Sequence, residues 1–175
     1  MFELTATFEG SLIASSPLSF DDLVERHKTL VYRTAWRMLG SSHDAEDVSQ
    51  EVFLRLHKNL GQLPKDQNFA AWLYRVTVNL CLDQIRKRRP LADETVLLHL
   101  ASHERNPEAA QEMQEQQARL ARWITRLPEM ERACIILRDL EGLNSREVGA
   151  ILEVSEESVR TSIHRAKEKL RKWMT

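Results

Sequence analysis

Backbone breakers are scarce in this chain: 175 residues hold five glycines and five prolines. Long stretches therefore read with a helical period, segments with the strict alternation of half-buried strands are hard to find, and the fold class is all-α. There are two cysteines, Cys81 and Cys134, each alone inside an apolar helical pattern. With no CxxC pair and no zinc-ligand series, a disulfide framework or thiolate metal centre is excluded, and buried thiols in a reducing compartment are expected. His99 and His103 stand one helical turn apart without a third ligand nearby. No nucleophile–base pair or phosphate loop is present, so neither an enzyme nor a bound cofactor is expected. No apolar run is long enough to span a bilayer, and the first residues lack a basic stretch leading into an apolar core. The expectation is a cytoplasmic chain without membrane insertion.

There is also little net charge, −1 in all, but the charge is segregated. Asp44, Glu46, Asp47 and Glu51 make one stretch acidic, whereas Arg86, Lys87, Arg88, Arg89 and the last twenty residues are basic. Local sign therefore says more about partners than the total does.

The C-terminal segment is the most informative. Asn144 is a good N-cap with Glu147 placed to complete a capping box, and Val148, Ile151 and Leu152 follow on one face. Glu153 and Val154 form a short break before a second N-cap, Ser155. Val159, Ile163, Ala166 and Leu170 then make an apolar stripe, opposite Arg160, Thr161, His164 and Arg165. Two helices, a tight turn and a basic outer face predict a helix-turn-helix with DNA as partner. The turn is unusual, because Glu153 stands where glycine is favoured.

Elsewhere the pattern predicts a helix from Phe20 capped by Ser19 and stopped at Gly40, with Phe20, Leu23, Val24, His27, Leu30, Val31, Ala35 and Met38 as its stripe. A second helix runs from about Asp44 to Lys58, with Ala45, Val48, Val52, Phe53 and Leu56 inward and Asp44, Asp47, Gln50, Glu51 and Arg55 outward. After a loop from Asn59 to Asn68, a third runs from Phe69 to about Arg88. Phe69, Trp72, Leu73, Val76, Leu80 and Ile85 read as its core face, and Arg75, Asn79, Asp83 and Arg86 as its polar face. Further helices are expected from Glu108 to Leu127 and from Glu129 to Leu140. Two small helical domains follow, an N-terminal bundle and a four-helix C-terminal domain carrying the helix-turn-helix. The divisions are an extension over 1–17, a domain over 18–90, a flexible acidic linker over 91–107 and a domain over 108–175.

Four segments in this order resemble the extracytoplasmic-function sigma factors of bacterial RNA polymerase: SSHDAEDVSQEVFLRLHKNL, FAAWLYRVTVNLCLDQIRKRRP, RLPEMERACIILRDLEGL and NSREVGAILEVSEESVRTSIHRAKEKL. The resemblance departs at Glu153 and Glu157, frequent glycine positions in the family. It implies sigma region 2 over 18–90, for core binding and minus-ten melting, and sigma region 4 over 108–175, for minus-thirty-five recognition. It also implies binding to core polymerase, at the coiled coil of its largest subunit and at its flap, to promoter DNA, and to an anti-sigma factor. The function implied is promoter-directed initiation in response to a stress or envelope signal.

The site residues follow from the resemblance and from local chemistry. Asp44, Asp47, Gln50 and Glu51 are expected to meet the polymerase by charge pairing. Gln62, Lys65 and Asp66 in the loop, with Arg75, Asn79, Asp83 and Arg86 on the third helix, are expected at the melted minus-ten strand. Ser155, Ser158, Arg160, Thr161, His164 and Arg165 are expected at the minus-thirty-five duplex. Trp72 lies in the apolar stripe and reads as core rather than as a base-stacking platform. An ordinary helix-turn-helix regulator and a helical adaptor remain alternatives. The DAEDVSQEVF and WLYRVTVN segments argue against the first, and the basic reader helix against the second.

Overall fold

A computed structural model describes residues 19–60, 69–88 and 119–174. The N-terminal extension, the linker and the loop residues Gln62, Lys65 and Asp66 lie outside the described residues. The order is α1 (Phe20–Leu39), α2 (Ser42–Asn59), α3 (Phe69–Arg88), α4 (residues 119–125), α5 (Glu129–Ile135) running into a π-helical turn (Ile136–Leu140), α6 (Ser145–Leu152) and α7 (Glu156–Met174). Among the described residues there is no strand.

Helix α1 starts where its cap predicts: Ser19 accepts from the Asp22 amide, and the Asp22 carboxylate accepts from the Ser19 amide. It stops at Gly40, whose φ of 69° is the left-handed conformation that glycine adopts without Cβ strain. Ser41 then caps α2, so this helix begins two residues before the expected Asp44. Val31, Ala35 and Met38 of α1 and Ala45, Val48, Val52 and Leu56 of α2 are buried, matching the sequence stripes.

The third helix departs from expectation. Its buried residues are Leu73, Tyr74, Thr77, Val78, Cys81 and Leu82, while Phe69, Trp72, Val76, Leu80 and Ile85 are only partly buried. The reason is packing on two sides. Helix α3 meets α1 and α2 on one flank and α5 and α6 on the other, so no single apolar stripe describes it. Trp72 is half-buried against the edge of the core, stacked on Phe69 with ring centroids 6.3 Å apart.

In the C-terminal half, α7 packs against α5 and α6. Trp123 and Trp173 stack at 6.0 Å and close the far end. Arg132 is buried, its guanidinium donating to the carbonyls of Met38 (2.8 Å), Leu127 (3.0 Å) and Thr125. It thereby caps the open C-terminus of α1 from the other half of the chain.

Candidate nucleic-acid and polymerase interfaces

The helix-turn-helix forms as the caps require. Asn144 Oδ1 accepts from the Glu147 amide at 2.9 Å, and Glu147 returns the bond to the Asn144 amide at 2.7 Å. Ser155 Oγ accepts from the Ser158 amide at 3.1 Å, opening α7, and Ser158 Oγ lies 2.7 Å from Ser155 Oγ. Glu153 takes the left-handed conformation, φ 58° and ψ 40°, at the end of α6. The glycine that this turn demands for space is Gly149 instead. A Cβ there would sit 2.8 Å from the Val154 carbonyl oxygen, closer than real Cβ contacts allow.

Val159, Ile163, Ala166 and Leu170 are buried, which turns Arg160, Thr161, His164 and Arg165 to the exposed side of α7. Arg160 is ion-paired with Glu156 one turn back, and His164 Nε2 lies 3.6 Å from Glu168. Arg165 has no ion-pair partner among the described residues. A cationic helix with small hydroxyls at its N-terminus can enter a major groove and bond guanine edges and phosphates.

On α2, Asp47 and Gln50 are exposed, and Glu51 is half-exposed beside Arg55 at 2.7 Å. Asp44 is corrected: it does not face outward with them. Its residue is 7% exposed and its carboxylate is ion-paired with Arg88 and accepts from Gln84 at 3.4 Å. Burial acts to raise its pKa, but bonds from Arg88 and Ser41 outweigh this and hold the carboxyl below the usual range. Missing from the sequence reading is Leu54, a large apolar side chain 55% exposed one turn beyond Gln50 and Glu51. Its position off the buried stripe was the available signal.

On α3, Asn79 and Asp83 are exposed, and Asp83 lies 3.8 Å from Arg86. Arg75 and Arg86 are not free cations. Arg75 donates to the Ala150 carbonyl at 2.6 Å and lies 3.9 Å from Glu153, and Arg86 donates to Glu129 at 3.1 Å. Beside them stands a cluster that sequence reasoning had no means to find. The Glu141 side chain is fully buried among Arg33, Arg37 (2.5 Å) and the Tyr74 hydroxyl (3.1 Å). Burial and the Glu141 charge push the Tyr74 phenol up to about 12. These partners lie too far apart in sequence for any periodicity to connect them.

Among the described residues no group of His, Cys, Asp or Glu is arranged to hold a metal, and no helix is long and apolar enough to cross a membrane. Burial pushes up the thiol pKa of both Cys81 and Cys134, the latter to about 11, so neither is a reactive thiolate.

Residues 23–90 match the sigma-70 region 2 family and residues 117–170 match sigma-70, region 4. The chain is 36% identical over 173 residues to the ECF RNA polymerase sigma factor SigE of Mycolicibacterium smegmatis, covering 97% of this chain and 67% of that one. It is 35% identical to the ECF sigma factor SigW of Bacillus subtilis over 164 residues, covering 88% of each. Among solved structures it is similar to CnrH in complex with the cytosolic domain of CnrY, with TM-score 0.66 and 26% identity over 89% of this chain and 86% of that one. The sigma factor RpoE of Bartonella quintana, solved with the anti-sigma factor NepR, shares the fold at TM-score 0.71 and 18% identity, covering 89% and 96% of the two chains. This chain belongs to the ECF RNA polymerase sigma factors.

Proposed function

We propose that the chain brings core RNA polymerase to a specific set of promoters and helps to open their minus-ten region, as a cytoplasmic binding subunit with no catalysis of its own. The observation that carries this reading is the order of the two family matches on one chain, region 2 followed by region 4, with the second ending in an exposed basic reader helix. The region 2 domain spans 18–90 and the region 4 domain 108–175, joined by 91–107. Asp47, Gln50 and Glu51 pair with basic residues on the polymerase coiled coil, with Leu54 supplying an apolar centre to that contact. The melted strand lies along Asn79 and Asp83 of α3, with Arg75 and Arg86 toward its phosphates and Gln62, Lys65 and Asp66 toward an extruded base. Ser155, Ser158, Arg160, Thr161, His164 and Arg165 meet the minus-thirty-five duplex, and the second domain also meets the polymerase flap. An anti-sigma factor holds the chain until a stress or envelope signal releases it; this reading is supported by the similar sigma factor RpoE of Bartonella quintana, which was solved with the anti-sigma factor NepR.

The test is run-off transcription by purified core polymerase on genomic promoter fragments. Promoter-specific transcripts are expected only when both core and chain are present. Tight sequence-specific duplex binding by the chain alone, without transcription, would identify a simple regulator instead. The division of labour has its own test. Arg165→Ala weakens duplex recognition by roughly 1–3 kcal/mol where the contact is a bidentate base bond. Asn79→Ala leaves the upstream footprint intact and impairs opening. A premelted bubble template therefore rescues Asn79→Ala more than Arg165→Ala, and equal rescue would refute the assignment.

A further inference from the structure

We propose that Glu157 is a specificity-determining residue of the reader helix, accepting a hydrogen bond from the exocyclic amino group of a cytosine in the minus-thirty-five duplex. This rests on the reading of α7 as the helix that enters that duplex and gives it one base preference.

The first turn of α7 carries two adjacent carboxylates, Glu156 and Glu157, on a helix otherwise rich in cations. The helix dipole favours negative charge near an N-terminus, which accounts for their presence. It does not account for the difference between them. Glu156 accepts from the Arg160 guanidinium one turn on and is thereby occupied. Glu157 is exposed and has no hydrogen-bond or ion-pair partner among the described residues.

The buried stripe fixes where each points. Val159, Ile163, Ala166 and Leu170 face the core. At about 100° per residue, Glu156 falls on the flank of that stripe, whereas Glu157 falls roughly opposite it, on the face of Thr161 and His164. Residues in the first turn of a recognition helix are the ones that reach base edges. Ser155 Oγ accepts from the Ser158 amide at 3.1 Å, so the backbone that carries Glu157 is fixed before DNA arrives.

A carboxylate entering the groove is repelled by the phosphates and loses its water. Only a donor on the base edge offsets these costs. In the major groove cytosine presents its N4 amino group, adenine an amino group beside the N7 acceptor, thymine the O4 acceptor, and guanine the O6 and N7 acceptors. Glu157 therefore ranks cytosine first and adenine second, and rejects thymine and guanine by repulsion between acceptors. Arg160 makes the opposite choice. Its guanidinium, steadied by Glu156, keeps further N–H donors for guanine O6 and N7.

The test uses holoenzyme assembled from core polymerase and the full chain. It transcribes a promoter library in which the upstream element is randomised, and the transcripts are sequenced. With the native chain, one base pair is expected to favour cytosine on the strand facing Glu157 over the reversed pair, by on the order of tenfold. Glu157→Ala is expected to flatten that position alone and to raise transcription from promoters with guanine or thymine there. Glu157→Gln is expected to move the preference to adenine on the same strand, because an amide matches N6 and N7 together. Thermal melts of the three chains distinguish base reading from support of the helix start. A base profile unchanged by both substitutions overturns the proposal, as does a uniform loss at every sequence that tracks a lower thermal midpoint. So does a native preference for an adenine–thymine pair, in either orientation, at the position that Glu157→Ala alters. Absence of transcription from every promoter with the native chain would instead refute the sigma reading itself.

Discussion

At the scale of single residues, Asp44 shows how far helical spacing reaches. Periodicity places it on the side of α2 that carries Asp47 and Glu51, and the helix that forms is the expected one. What periodicity cannot supply is Arg88, which arrives from the end of α3 and converts a surface carboxylate into a buried, paired one. The same reason hid Glu141, whose partners Arg33 and Arg37 lie in α1. The depressed pKa of Asp44 makes it a source of acid sensitivity. Because the folded value lies below the unfolded one, near 3.9, its contribution is fully present above about pH 4 and is lost as pH falls through the folded value. Asp44→Asn should lower stability by about 1–2 kcal/mol at pH 7, since Arg88 stays partly exposed and is not stranded without water. Urea melts at pH 7 and pH 3 check this; the gap between native and variant should narrow at the lower pH. A gap of equal size at both would mean the carboxylate charge plays no part.

At the scale of elements, the helix-turn-helix was the most legible part of the chain. Its caps at Asn144 and Ser155 and its stripe from Val159 to Leu170 all form as the sequence implies. Local interactions set those features, so local sequence reports them. Helix α3 was the least legible, since a helix packed on two flanks writes no clean apolar face. The turn between α6 and α7 separates two roles that the glycine expectation had merged. Gly149 supplies space for the Val154 carbonyl, while Glu153 carries the left-handed conformation at a cost in its own Cβ sterics. Glu153→Gly should therefore stabilise the fold by about 1 kcal/mol, read as a higher thermal midpoint. Gly149→Ala should do the reverse by forcing the backbone at Val154 to move. Were Glu153→Gly destabilising, the exposed contact with Arg75 would outweigh the backbone strain.

At the scale of the whole molecule, one continuous cluster of buried side chains runs from Val31 and Met38 through Leu73 and Cys81 to Ile136 and Leu170. Arg132 ties across it by donating to the Met38 carbonyl. Calorimetry on the native chain should accordingly give a single cooperative transition; two resolved transitions would mean that the halves fold without each other. The division into two domains was legible from composition and pattern, but their mutual packing was not, because it depends on side chains that share no sequence period. The π-helical turn from Ile136 to Leu140 bears on how such packing is inherited. In a π turn the helix accommodates one residue more than the α-helical ladder does. Deleting a single residue there would close the segment as α-helix with the surplus residue removed, so α6 and α7 would keep their phase against the rest of the molecule. A one-residue change in length at this point is thus absorbed inside the turn, and the reader helix keeps its aim.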